Sequence, residues 1–285
     1  MKNCLFVDHL TVLDFSFIHP DRGIVGESLI MDVELYGELD EQGMVFDFGD
    51  VKKLLKREAE DLIDHKLVIP ASPEHLTLER IAGRVKLSYQ LNGQLGVIQM
   101  DAPEDAIALL HAETVTIDSL EPLLVRHLST RVPANVSDVK VRLRHEPIQG
   151  AYYQYTHGLR KHLGNCQRIA HGHRSRLEIY ADGQRSQLTE YQWAKRWRDI
   201  YIGTRSDILE LQDIQGQPHT HFHYVAAQGA FSLTLPTRQV YLIDTDSTVE
   251  FIAEHIANSL KRQRPQNTFR VRAFEGVMKG SIAEV

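Results

Sequence analysis

Apolar residues recur along this chain with two periods, and the periods come twice in the same order. Met31-Asp32-Val33-Glu34-Leu35-Tyr36 alternates apolar and polar residues, the period of a half-buried strand. Arg176-Leu177-Glu178-Ile179-Tyr180 does the same. Extended runs are predicted at Leu5–Ile18 and Glu27–Gly37, and again at Ala151–Thr156 and Arg174–Tyr180. Val51, Leu54, Leu55, Leu62 and Ile63 fall at helical spacing, so a helix is predicted from about Val51 to Ile63, capped by Asp50. Its counterpart is read at Glu190–Arg198. Further helices are predicted near Asp118–Ser129 and Thr248–Lys261, and closing strands at Asp138–Arg144 and Thr268–Phe274.

The repetition extends to detail. Lys86–Leu128 and His221–Leu260 each pass from an aromatic strand through a Gly turn, a second strand, a Pro and an apolar run into a helix. Tyr89 answers to Tyr224, about 135 residues on, so the chain reads as a tandem duplication. Strand, strand, helix, helix, strand, strand is an α+β order. It predicts two units, 1–148 and 149–285. Each would be a four-stranded antiparallel sheet with two helices on one face and a hairpin insertion, near 68–112 and 203–240. No Ser/Gly/Pro-rich linker separates them at His145–Gly150, so close packing is expected.

Composition narrows the class. With 285 residues, 32 Lys+Arg and 38 Asp+Glu, the chain carries a net charge of −6. That argues against nucleic acid and anionic membrane as partners. No apolar run approaches the ~20 residues that span a bilayer. An acidic residue, Asp8, sits where a signal peptide needs an apolar core. Two cysteines, Cys4 and Cys166, make no disulfide framework. A reducing, cytoplasmic setting is expected. The count of 15 histidines is high.

The informative stretch runs from Tyr155 to His173. Residues two apart in a strand share a face, so His171 and His173 present two imidazoles together, and His157 on the preceding strand can come opposite them. Three imidazoles with an open fourth position would make a catalytic zinc site. Cys166 lies in the connection between. With so many histidines, a chance His-x-His is the rival reading, and a lone Cys is more often a small buried hydrophobe. A second cluster, His219-Thr-His221-Phe-His223, has no cysteine or carboxylate set around it and is read as structural.

His157 followed by Cys166 and then His171-Gly172-His173 resembles the 6-pyruvoyltetrahydropterin synthase / 6-carboxytetrahydropterin synthase family. The run Gly37-Glu38-Leu39-Asp40…Gly43-Met44-Val45-Phe46-Asp47-Phe48 and the element Leu62-Ile63-Asp64-His65 resemble two further motifs of that family. The resemblance implies the T-fold, a closed ring of such units as a homo-oligomer, and Zn2+ held by His157, His171 and His173. It implies Cys166 as the catalytic base, assisted by Asp64 and His65, and a Glu on the last strand that anchors the pterin. Glu146 and Glu275 both fit that last place. The activity implied is a lyase acting on 7,8-dihydroneopterin triphosphate, a small pterin. Such enzymes feed 7-deazapurine (queuosine) or tetrahydrobiopterin synthesis. A pyruvoyl-type synthase, an epimerase or aldolase on the same scaffold, and a non-catalytic pterin- or purine-binding protein are the rivals.

The two halves depart from the pattern in opposite ways. Where the second half has His171-Gly-His173, the first has Val25-Gly26-Glu27, with His9 as the candidate remnant of the first ligand. The second half has Asp199-Ile200 where Asp64-His65 is expected. One half keeps the metal ligands and the other keeps Asp-His, so a composite site drawn from both is expected.

Overall fold

The computed structural model describes residues 3–72 and 74–285. The first half runs β1 (Asn3–His19), β2 (Gly23–Gly37), α1 (Phe48–Ile63), β3 (Leu67–Pro70), β4 (Leu76–Ile81), β5 (Arg84–Gln90), β6 (Val97–Pro103), β7 (Ile107–Leu110), α2 (Ile117–Ser129) and β8 (Val136–Arg144). The second half repeats the order. It runs β9 (Tyr152–His157), β10 (His171–Ala181), a short β11 (Gln184–Arg185), α3 (Gln187–Arg196), β12 (Ile200–Thr204) and β13 (Ile208–Ile214). It continues through β14 (Gln217–Ala226), β15 (Gly229–Pro236), β16 (Val240–Ile243), α4 (Val249–Gln263) and β17 (Phe269–Phe274) to a final β18 (Gly280–Glu284).

The helices bury the stripes that the periodicity marks. Val51, Leu55, Ala59 and Ile63 of α1 are buried, as are Leu120, Leu124 and Leu128 of α2. In α4, Ile252, Ala253, Ile256, Ala257 and Leu260 are buried. Helix α1 begins one turn earlier than its apolar spacing suggests. Its cap is Asp47, whose side chain accepts from the Gly49 and Asp50 amides, so Asp50 is a first-turn acid. Thr116 and Thr248 cap α2 and α4 through their hydroxyls.

Each half builds a sheet, β7-β3-β1-β2-β8 and β16-β12-β9-β10-β17-β18. The long strands pair antiparallel. The short strands β3, β7, β12 and β16 join in parallel at one edge, so each sheet is wider than four strands and mixed. Alternation reveals which face of a strand is buried and carries no information about pairing direction.

The two insertions do not stand as separate hairpins. Strands β15 and β6 pair antiparallel, Leu233 opposite Met100, and close one six-stranded sheet in the order β13-β14-β15-β6-β5-β4. A lone hairpin is marginal in water; joining the two satisfies an edge on each and buries Tyr89, Met100, Phe222, Phe231 and Leu233 in one core with Tyr201.

The main sheets meet through equivalent residues. Ser16 on β1 and Thr156 on β9 share a 2.7 Å hydrogen bond between hydroxyls. The Arg174 amide donates to the Ser28 hydroxyl at 3.1 Å. Gly172 lies so close to Gly26 that a Cβ on it would stand 2.8 Å from the Gly26 Cα. Like touching like is the mark of a pseudo-two-fold contact. It brings β10 of one half against β1 and β2 of the other.

Candidate functional site

The strand register delivers the three histidines. His157 on β9 lies directly opposite His171 on β10, and His173 follows two residues on, sharing the face. The rings stand with centroids 4.4, 5.3 and 5.8 Å apart. One ligand atom from each lies within 4.8 Å of the others. All three side chains are at most 1% exposed.

The tautomers are set by the backbone. His157 Nδ1 donates to the Ser247 carbonyl at 2.9 Å, and His171 Nδ1 to the Arg168 carbonyl at 3.0 Å. Each Nε2 is then a lone pair, buried, with no hydrogen-bond partner. Burial, reinforced by the neighbouring imidazoles, holds both well below the usual histidine range, so both stay neutral. Buried acceptors facing one another without partners are costly. Bridging them with a cation removes that cost, and three imidazoles converging on one point suit Zn2+ with one position open.

The first half supplies the rest of the site. Asp64 ends α1 and His65 follows in the left-handed region, φ 52°. That turn aims the His65 ring into the second half, 5.1 Å from the ring of His171. His65, Cys166 and His171 bring one ligand atom each within 4.8 Å of one another. Cys166 sits in a short turn, Asn165–Gln167, of the loop between β9 and β10. His65 Nδ1 is 2.5 Å from Asp64 Oδ2. Burial alone would lower the His65 pKa, yet its hydrogen bonds to the Asp64 carboxylate and to Cys166 outweigh it. The net effect pushes the pKa up to about 10. The imidazole is therefore a cation beside the thiol at neutral pH.

Asp14 is the member that sequence reasoning missed. It is 2% exposed, and its Oδ1 lies 3.2 Å from His173 Nδ1. The same oxygen accepts from the Ser28 hydroxyl at 2.5 Å, and Lys279 Nζ is 3.2 Å from Oδ2. The Asp14 amide donates to Asp64 Oδ1 at 2.7 Å and its carbonyl accepts from the His65 amide at 2.7 Å. Burial would raise its pKa; the imidazole, the ammonium and the hydroxyl hold it well below the carboxylate range. One residue thus ties the Asp-His pair to the ligand set. An acid inside the apolar run Leu13-Asp14-Phe15 was the available signal.

Of the two candidate glutamates, Glu275 lies at the cluster, its Oε1 4.0 Å from His173 Nε2, and it is partly exposed. Glu146 is buried beside Arg176, 3.8 Å from Nη1. The register explains the difference. Met31 pairs with Leu143 as Leu177 pairs with Ala273, so the counterpart of Glu275, two residues on, is His145. The register also replaces two other assignments. Phe17, which pairs with Val25, stands where His157 pairs with His171, whereas His9 lies at an exposed irregularity of β1 and is no remnant ligand. Asp199 shares its left-handed φ with His65 and directly precedes β12 as His65 nearly precedes β3. Asp199, rather than Ile200, is therefore the counterpart of His65.

The opposite face shows what stands at the equivalent place. Glu27, the counterpart of His173, accepts from Gln154 Nε2 at 3.1 Å and lies 3.2 Å from His145 Nε2. Arg22 donates to both Asp199 oxygens, at 2.9 and 2.6 Å, and to Gln154 Oε1 at 2.7 Å. Phe15, Phe17, Leu29 and Val115 line a cavity of about 350 Å³ beside Glu27. An ion-pair network and apolar walls occupy the place that three imidazoles hold on the other face. In the second histidine cluster, buried His219 accepts from the Val97 amide and donates to the Gln217 carbonyl, which is a structural role.

A family model described as 6-pyruvoyl tetrahydropterin synthase matches residues 14–156 and again 148–285. A protein of Methanocaldococcus jannaschii named "Putative 6-carboxy-5,6,7,8-tetrahydropterin synthase" is 28% identical over 144 residues, 48% of this chain and 84% of its own. One of the same name from Pyrococcus horikoshii is 23% identical over 149 residues, 50% of this chain and 82% of its own. Among solved structures, 6-pyruvoyl tetrahydropterin synthase from Plasmodium vivax aligns with a TM-score of 0.41 and 16% identity, over 52% of this chain and 94% of that one. No helix among the described residues is long and apolar enough to cross a membrane.

Proposed function

Because the chain belongs to the 6-pyruvoyl tetrahydropterin synthase family, we propose that it is a zinc-dependent lyase of 7,8-dihydroneopterin triphosphate, of the 6-carboxytetrahydropterin type that serves 7-deazapurine (queuosine) synthesis. The observation that carries this reading is the meeting of three unpartnered imidazole nitrogens with a cysteine and the hydrogen-bonded Asp64-His65 pair inside a single chain. The names of the archaeal relatives favour the carboxy product.

His157, His171 and His173 would hold the zinc, which supplies Lewis acidity towards oxygens of the pterin side chain. Cys166, beside the His65 ring, takes the proton from carbon. His65 donates or recovers that proton, and Asp64 fixes its orientation. Glu275 accepts two parallel N–H bonds from the flat amidine edge of the ring, which sets its orientation. Functionally the chain divides at 1–148 and 149–285, the first part giving Asp64 and His65 and the second the ligands and the thiol. It acts in the cytoplasm as a homo-oligomer of such chains.

The test is direct. Zinc-loaded protein given 7,8-dihydroneopterin triphosphate releases both triphosphate and acetaldehyde. Triphosphate without acetaldehyde would assign the pyruvoyl chemistry instead, and release of neither would refute the lyase.

A further inference from the structure

The joined insertion sheet reaches the loop that carries Cys166. Gln228, exposed at the β14–β15 turn, grips that loop on both sides of the cysteine. Its side-chain amide donates to Asn165 Oδ1 at 2.8 Å, its backbone amide donates to Gln167 Oε1 at 2.7 Å, and its Oε1 accepts from Arg168 Nε at 3.3 Å. Behind it, the buried Tyr224 hydroxyl donates to the Gln167 carbonyl at 2.7 Å, and Tyr201 donates to the Ile169 carbonyl at 3.1 Å. A side chain at Gly158, where the loop starts, would collide with the Tyr224 hydroxyl. Arg168 continues the chain of contacts by donating to the Asp64 carbonyl at 3.4 Å.

We propose that Gln228 and Tyr224 are positioning residues for the reaction: the insertion sheet is the mould that holds the Cys166 loop against His65. Inside the loop the hydrogen bonds are local turns: the Leu159 amide donates to the Cys166 carbonyl, the His162 amide to the Leu159 carbonyl, the Gln167 amide and Nε2 to the Gly164 carbonyl, the Arg168 amide to the Asn165 carbonyl and the Gly164 amide to His162 Nδ1. Such turns shape the loop but do not fix where it stands relative to His65; that placement comes from what the loop rests on, and a base displaced by about 1 Å can cost on the order of 100-fold in rate. The sheet can act as the mould because it is closed across both halves and packed on its own core. This assignment rests on the reading of Cys166 as the base.

The full-length zinc protein tests it through Gln228→Ala and Tyr224→Phe. Gln228 is exposed, and Phe keeps the buried ring of Tyr224, so both variants keep the fold. Amide hydrogen exchange over residues 159–170 is expected to accelerate about 10-fold, the equivalent of losing one or two side-chain hydrogen bonds. The turnover number is expected to fall by a similar factor, with the Michaelis constant and zinc content unchanged. Val225→Ala, on the exposed side of the same strand, should change none of these. Wild-type exchange over 159–170 in both variants would overturn the proposal. So would accelerated exchange with wild-type turnover, provided Cys166→Ala is inactive. Wild-type turnover in Cys166→Ala would instead refute Cys166 as base, and the exchange data would still judge the mould.

Discussion

Asp14 gives the most discriminating test of the composite site, because its counterpart offers an internal control. Asp14→Asn keeps the volume and one acceptor oxygen but removes the charge that lies 3.2 Å from His173 Nδ1 and 3.2 Å from Lys279 Nζ. A carboxylate partner raises the basicity of a metal-bound imidazole and fixes its ring, and losing such a partner costs about 10–100-fold in metal affinity. That is about 1.4–2.7 kcal/mol. The amide can turn its NH2 towards the imidazole, which places donor against donor, so the upper part of the range is expected. Competition against a chromophoric zinc chelator measures the affinity. Gln154 occupies the equivalent place on the other face and contacts Glu27 rather than a ligand. Gln154→Ala should therefore leave zinc affinity within about 2-fold, although it removes the acceptor of Arg22. An Asp14→Asn affinity equal to wild type, or equal losses in both variants, would refute the argument that Asp14 acts through His173.

Other outcomes follow from the same geometry. His65→Ala should retain one zinc per chain while turnover falls by about 10²–10⁴-fold; loss of zinc in parallel would mean that the ring is a ligand and not a proton carrier. Glu275→Gln should raise the Michaelis constant far more than Glu146→Gln does, since only Glu275 stands at the cluster; similar effects would reverse that assignment. Gly172→Ala would put a Cβ 2.8 Å from the Gly26 Cα and against the Tyr155 backbone. It should cost at least the about 1–3 kcal/mol of overpacking in thermal stability and release zinc, because the ligands on either side of it move. Arg22→Ala, measured by thermal melting, should destabilise the chain without affecting turnover, because Arg22 serves only the face without metal ligands.

What the sequence by itself determined is local. The two-residue spacing of His171 and His173 puts both on one face, and it does so in any sheet that contains them. The apolar stripes of α1, α2 and α4 were legible because each reports burial within a turn or two of the chain. The duplication was legible because it is written as similarity. Even the opposite losses in the two halves could be read, since they are statements about which residue type stands where. The tertiary structure alone decided what depends on distance across the fold. That the candidate residues of both halves come together within one chain follows from Gly26 meeting Gly172 and Ser16 meeting Thr156, contacts between residues far apart in sequence. Asp14 becomes a partner of His173 only through that crossing. The counterparts Phe17, His145 and Asp199 come from strand register and a shared left-handed turn, whereas motif likeness along the chain points to His9 and Glu146, and counting points to Ile200. Insertions of unequal length between equivalent strands shift any count, whereas hydrogen-bonded register does not shift. The joining of the two hairpins is likewise a long-range pairing, and no periodicity within either hairpin encodes its partner.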